Sequence, residues 1–427
     1  MRMSRRKFLA CAGASVSGLA LPIRRAEAAV TQLHVSIAPS IFDSMFRRLI
    51  SEFEKANPNI KVRIEGAYRD QSDQFQATLR QGLIGQLPDV SFQGYAYLPM
   101  LKQHGYTVRL DDFLANDPNA KEMGLSGAVV NTGTVEGESH GLGVGMSFPI
   151  IYVNAGLAKR VGENPNDLPG DWDGILGLTT KIGSLGGNVE GGFFQYRAGG
   201  NWTWIGLLES LGGRMLTPDR KIGFTGRPGL RSLEIIQTFG KIGQSRYDVS
   251  QDEARAVFGS GLLGTLVDSS SSLASFEAAA NGRFEIRTIP FPLATPDGRV
   301  PAAGDAIVLH TREPSRQKAA WAFMQFVCGP QGQTLVGQLT GYTPANIKAT
   351  ETPNLLGNYY RQRPSRAAAN ASAAHAGPWF SFPGNNSIKV SDAIRDKLHD
   401  LVSLNCGPAD TLSAIEKSVR KLSPGLA

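Results

Sequence analysis

Cysteine is nearly missing from this 427-residue chain, with Cys11, Cys328 and Cys406 the whole set. That is too few for a disulfide-stapled scaffold, and their spacing leaves open whether Cys328 and Cys406 pair. Long hydrophobic runs are missing as well. No stretch reaches the roughly 18 apolar residues that a membrane span needs. Histidine occurs six times, at His34, His104, His140, His310, His375 and His399, never at metal-pair spacing. Neither a G-x-x-x-x-G-K-[ST] phosphate loop nor a G-x-S-x-G nucleophile elbow occurs. With 41% hydrophobic and 19% charged residues, the remainder is ordinary globular material, which excludes collagen-like and disordered chains. A single core seldom grows beyond about 250 residues, so more than one domain is expected.

The net charge of +7 suggests a nucleic-acid partner until its position is considered. Residues 1–28 hold Arg2, Arg5, Arg6, Lys7, Arg24 and Arg25 against Glu27, a net +5, and the rest of the chain carries only +2. Ser4-Arg5-Arg6-Lys7-Phe8-Leu9, the small-residue apolar stretch Ala10–Ile23 and Ala26-Glu27-Ala28 have the order of a secretory signal. The paired arginines resemble the twin-arginine class of bacterial export signals, with cleavage expected after Ala28. Too few apolar residues precede Cys11 for a lipid anchor. The mature protein is therefore expected in the periplasm, with no nucleic-acid partner.

Beyond the signal, Leu33, Val35 and Ile37 alternate as a half-buried strand. Ser40, with Asp43 three residues on, reads as a helix cap before an apolar stripe at 41, 42, 45, 46, 49, 50 and 53. Asn57-Pro58-Asn59 ends that helix, and Ile60, Val62 and Ile64 alternate again. This βαβ unit implies a parallel sheet with crossover helices. The rhythm continues with helices over 71–84 and 97–104 and a strand at Asp89–Phe92. A second rhythm starts at Pro149–Val153, followed by helices near 155–161, 171–182, 230–242, 317–328, 391–404 and 409–421. Two α/β lobes are the economical reading.

Gly259-Ser260-Gly261-Leu262-Leu263-Gly264 matches G-x-G-x-x-G, but a dinucleotide site needs a strand before the glycines and a helix after them. Here Ala254–Phe258 ends a helix and Thr265–Asp268 reads as the strand, so no cofactor is expected. The Ser269–Ser272 cluster has no base or orienting acid beside it in sequence, and catalysis lacks positive support. What remains is a set of rings and small polar residues at loop positions. Tyr95 and Tyr97, Trp202 and Trp204, Tyr342, and Trp379 suit sugars, whose C–H faces stack on rings while polar groups take the hydroxyls. Of the two adjacent tryptophans, Trp204 is the expected stacking ring and Trp202 its neighbour.

Phe53–Val62, Leu87–Val90, Pro149–Asn154, Asn201–Leu216 and Lys318–Pro344 are each degenerate, yet their order over some 350 residues is specific. Together they resemble the extracellular solute-binding proteins of bacterial carbohydrate importers, the maltose-binding-like family 1. Within it they are most similar to the sn-glycerol-3-phosphate-binding and rhizobial sugar-binding branch. The resemblance implies a type II two-lobed α/β fold: residues 29–145 and 305–342 in lobe 1, 146–304 and 343–427 in lobe 2, with three crossovers near 144–148, 299–305 and 340–346. It implies ligand contacts at Ser72, Tyr95, Ser147, Trp204, Ser269, Ser270, Ser272, Gly304 and Tyr342. It also implies a monomer that delivers a carbohydrate ligand to an ABC permease and its ATPase subunits. The glycerophosphate binders carry an acid where Tyr95 stands and an arginine near Phe382, so a neutral sugar or polyol is the expected ligand. The rivals are an exported sugar-active hydrolase and a chemoreceptor-coupled sensor, which bound metal and neighbouring permease genes, respectively, would discriminate.

Overall fold

The opening βαβ unit forms as its pattern requires. In the computed structural model, which describes residues 30–384 and 386–426, β1 (Thr31–Ile37) and β2 (Ile60–Ala67) run parallel and are joined by the helix Asp43–Ala56. The helix buries Met45, Phe46, Leu49 and Phe53 along one stripe. Ser40 does not cap it. The Ser40 N–H is held by the Tyr68 carbonyl at 2.8 Å, residues 40–42 form a 3₁₀ turn, and the helix starts at Asp43, which pairs with Arg47 instead. The expected export signal, residues 1–28, lies outside the described residues.

The later strands are β3 (Val90–Gly94), a small hairpin β4 (Thr134–Val135) and β5 (Glu138–Ser139), β6 (Leu142–Ser147), β7 (Pro149–Asn154), β8 (Glu190–Phe194), β9 (Leu263–Ser269), β10 (Ile286–Pro290), β11 (Val300–Leu309) and β12 (Ala376–Pro378). Lobe 1 is built on the order β12-β11-β3-β1-β2, with β6 also paired to β11, and lobe 2 on β10-β7-β9-β8. The central strands of both sheets are buried on two faces, as helix-covered strands must be, while the edge strand β2 leaves Lys61, Arg63, Glu65 and Ala67 exposed. On β7 the period of two is plain: Ile151 and Val153 join one core of lobe 2, Ile150 and Tyr152 the other. In lobe 1, Phe46, Phe92 and Phe323 pack on one face of the sheet, and Phe75, Tyr97 and Val308 on the other.

The chain passes between the lobes in thin connections. At Ser147-Phe148 it leaves β6 for β7. Along β11, Val300 packs with the lobe 2 core while Asp305–Leu309 pair with β3 of lobe 1. Here β6 and β11 approach so closely that a Cβ on Gly304, whose φ is +145°, would stand 2.0 Å from the Gly145 carbonyl oxygen. The third connection differs from the expected boundary at 342. Gly341 donates to the Ser271 carbonyl of lobe 2 and Thr343 pairs with Met146. The chain then returns to lobe 1, where Ala345 is core and the Asn346 amide donates to the carbonyls of Met123 and Cys328. Lobe 2 is reached only at Arg363 and Ser365, which bind Glu277. The buried amide of Gln333, whose oxygen accepts from Ala345 and Asn346, is what keeps this stretch on lobe 1. Cys328 and Cys406 are both free thiols, one in each lobe.

Candidate ligand-binding cleft

Between the lobes lies a cleft of about 970 Å³. Lobe 1 contributes Pro39–Phe42, the start of the helix Gln71–Leu83, and Tyr342. Lobe 2 contributes Trp202, the loop Asp248–Glu253, Arg255 and the turn after β9, and Ser147, Ala303 and Trp379 lie at or near the crossings. Each group is placed by local geometry. Asp70 caps the helix Gln71–Leu83 through the Asp73 N–H and so holds Arg69–Gln71 at the rim. Ser250 and Glu253 form a reciprocal capping box that sets the opposite rim. Ser269 caps the turn Ser270–Ser272 through the Ser271 N–H, and Ser269, Ser271 and Ser272 stand in the cleft lining.

Trp202 and Trp379 line the cleft, and a series of rings behind Trp379 continues into the lobe 1 core. Phe75 stacks on Tyr97 at 4.7 Å, Tyr97 meets Trp379 at 6.0 Å, and Trp379 meets Trp202 at 6.5 Å. The Trp202 indole donates to the Pro301 carbonyl at 3.1 Å, which fixes the ring beside the second crossing. Burial pushes the Tyr97 phenol up to about 12. Below the serine turn, Arg255 holds Asp268 in a two-point pair at 2.7 and 3.0 Å, with Asp268 almost fully buried and also accepting from Ser269 N–H. On the lobe 1 side, Tyr342 donates to Asp305 at 2.8 Å. Burial raises the Asp305 carboxyl to about 7, opposed by hydrogen bonds from Tyr342 and Gln71.

Of the residues expected from sequence, Ser147, Trp202, Ser269, Ser272, Tyr342 and Trp379 line the cleft. Ser72 lines a neighbouring pocket of about 110 Å³ that shares Trp379. Four others are placed elsewhere. Trp204 is fully buried in lobe 2, edge-on to Phe224 at 5.8 Å, its indole donating to Ser232 at 3.0 Å. Two positions along a helix turn a side chain by about 200°, so Trp202 and Trp204 cannot face the same side. Tyr95 donates to the Gly145 carbonyl at 2.8 Å and braces the crossing rather than the cleft, and burial raises its phenol. The Ser270 hydroxyl accepts from the Phe148 N–H at 3.1 Å, and Gly304 serves as the close-approach point described above. Gln71, Arg197, Asp248, Arg255 and Asp268 were not expected. The helix expected over 71–84 placed Gln71 at a helix start but gave no sign of a role in the cleft.

The G-x-G-x-x-G stretch is resolved as sequence order implied: the helix Gln251–Ser260 ends at Gly261 in the left-handed region, and β9 follows. One serine–histidine pair does exist. Ser91 lies 2.6 Å from His310, whose other ring nitrogen meets the Tyr106 carbonyl, but both side chains are buried within lobe 1. Burial lowers the His310 imidazole to about 4.

A protein-family profile described as bacterial extracellular solute-binding protein matches residues 48–358. The chain is 24% identical over 283 residues to the sn-glycerol-3-phosphate-binding periplasmic protein UgpB of Pectobacterium atrosepticum, covering 64% of this chain and 63% of that protein. It is 22% identical over 334 residues to UgpB of Agrobacterium fabrum, covering 75% and 72%. Among solved structures, UgpB from Mycobacterium tuberculosis in complex with glycerophosphocholine superposes with a TM-score of 0.79 at 18% identity, over 92% of this chain and 98% of the other. An ABC substrate-binding protein from Listeria monocytogenes in complex with cycloalternan gives 0.79 at 17% identity, over 93% and 100%. The fold is thus the type II two-lobed binding-protein fold, and the chain belongs to the bacterial extracellular solute-binding protein family.

Proposed function

We propose that this protein is the periplasmic substrate-binding component of an ABC importer, holding a carbohydrate or polyol-type solute between its lobes and delivering it to the permease. The observation that carries this reading is the lining itself. The rings of Trp202, Trp379 and Tyr342 alternate with the hydroxyls of Ser147, Ser269, Ser271 and Ser272 in one cleft between lobes joined by thin connections. Relatives named for sn-glycerol-3-phosphate, and a structural neighbour in complex with cycloalternan, support a solute of the polyol–sugar class. A role in recognition rather than chemistry is supported by the lining serines Ser269 and Ser271, which bond to one another and to backbone rather than to a histidine.

A thermal-shift screen over sugars, polyols and glycerol derivatives tests it. A ligand at 100 times its Kd adds about 2.7 kcal/mol of stability, which shifts the melt visibly. Lobe closure should reduce the radius of gyration in small-angle scattering, with unchanged circular dichroism. A screen without any stabilising solute counts against the proposal.

A further inference from the structure

We infer that the cleft selects an uncharged, polyhydroxylated ligand and rejects phosphate esters, because each arginine in its lining is already matched to a carboxylate of the protein. This inference rests on the reading of the cleft as a solute site and narrows the solute. Four arginines and six carboxylates line the cleft. Arg255 is held by Asp268 at two points, Arg197 by Asp248 at 2.6 Å, Arg69 by Asp70 and Asp73 at 3.4 and 3.5 Å, and Arg395 by Asp392 at 2.9 Å. No lysine is among the described residues that line the cleft. The helix N-termini at Gln71 and Gln251, which would otherwise attract an anion, are occupied by the Asp70 and Ser250 side chains. A phosphate entering here meets no uncompensated positive charge: it must compete with Asp268 and Asp248 for the two more buried arginines, Arg255 and Arg197, and lie beside a carboxylate excess, and both are unfavourable.

Hydroxyl groups meet the opposite situation. Tyr342 spends its proton on Asp305, so its oxygen remains an acceptor at the cleft surface. The Ser272 hydroxyl, 1% exposed and lining the cleft, has no partner among the described residues, and neither does the Trp379 indole N–H. Asp248 Oδ1 and Arg197 Nε, also in the lining, have no partner among the described residues either. The cleft thus offers acceptors, an ambivalent hydroxyl and N–H donors side by side, which fits groups that both donate and accept, as alcohols do and an ionised phosphate, an acceptor only, does not.

Calorimetry on the mature protein decides it, with panels of uncharged sugars and polyols, glycerol 3-phosphate and glycerophosphocholine at about 50 and about 500 mM NaCl. The expected result is an uncharged binder whose affinity changes less than about twofold with salt, preferred at least about 100-fold over both phosphate esters. Binding of glycerol 3-phosphate or glycerophosphocholine as tight as that of the best uncharged solute overturns the inference while leaving the solute-binding function intact. A panel in which nothing binds overturns the reading of the cleft itself, and the inference with it.

Discussion

Trp202 and Trp204 stand two residues apart on one helix, yet one belongs to the cleft wall and the other to the interior of lobe 2. Trp202 is tied to the Pro301 carbonyl at the second crossing and meets Trp379, while Trp204 is sealed against Phe224 with its indole bound to Ser232. The same contrast separates Ser270 from Ser272 one turn on: Ser270 binds the backbone of the first crossing and Ser272 keeps its hydroxyl for the cleft. In this fold, cleft-facing and load-carrying side chains alternate along single short segments. Proximity in sequence to a binding residue is therefore weak grounds for a binding role.

The contrast is tested most severely at Trp204. Its replacement by Ala should cost about 3–5 kcal/mol of stability in denaturant melts, as large core truncations do, while Kd for the solute found by screening changes little. A Trp204→Ala protein that keeps its stability and loses binding would reverse the assignment. Trp202→Ala should do the converse, losing about 1–3 kcal/mol of affinity, or 5- to 150-fold, with a smaller loss of stability. Ligand should also quench or shift tryptophan emission in the Trp204→Ala protein, and least in the Trp202→Ala/Trp379→Phe double variant, which lacks both cleft indoles.

A pH comparison separates two buried groups on or beside β11. The folded Asp305 carboxyl, near 7, lies above its ordinary value of 3.8, so its contribution is full below pH 4 and is lost as pH rises toward 7. His310, lowered from 6.5 to about 4, contributes above pH 6.5 and loses that contribution as pH falls toward 4. The two slopes oppose each other. Asp305→Asn should leave the His310 slope alone, so that stability climbs more steeply between pH 4 and 6.5, by at most about 1.4 kcal/mol per pH unit relative to wild type. Identical urea-melt profiles for both proteins would rule out a buried, proton-retaining Asp305. The smallest effects belong to the serines. Ser270→Ala should lower stability by about 1 kcal/mol with little change in Kd, and Ser272→Ala should weaken ligand by about 1 kcal/mol with little change in the melt.

Several features were legible before any coordinates. The alternation of Leu33, Val35 and Ile37, the stripe of the helix Asp43–Ala56 and the reply in Ile60–Ile64 specify a βαβ unit because strand and helix periods differ so strongly. The helix-before-strand order around Gly259–Gly264 was enough to dismiss a dinucleotide site, and the structure has that order. The ordered short matches pointed to the family, which the profile match bears out. Six of the eleven residues expected at the site do line the cleft, for a simpler reason: rings and serines in loops tend to stand at surfaces.

Tertiary structure alone decided the rest. Residues 343–361 stay on lobe 1 because Gln333 and Asn346, distant in sequence from Met123 and Val144, meet those backbones only in the fold. Tyr95 and Gly304 were diverted from ligand to framework by the close approach of β6 and β11, a long-range pairing that no local pattern encodes. The neutralised arginines have the same origin: Arg197 meets Asp248 across 51 residues, and Arg255 meets Asp268 only after β9 folds back on its helix. Periodicity acts over a few residues and so reports elements and their buried faces. Which charges cancel, and which ring is left open to a ligand, depends on contacts that exist only once the two lobes have assembled.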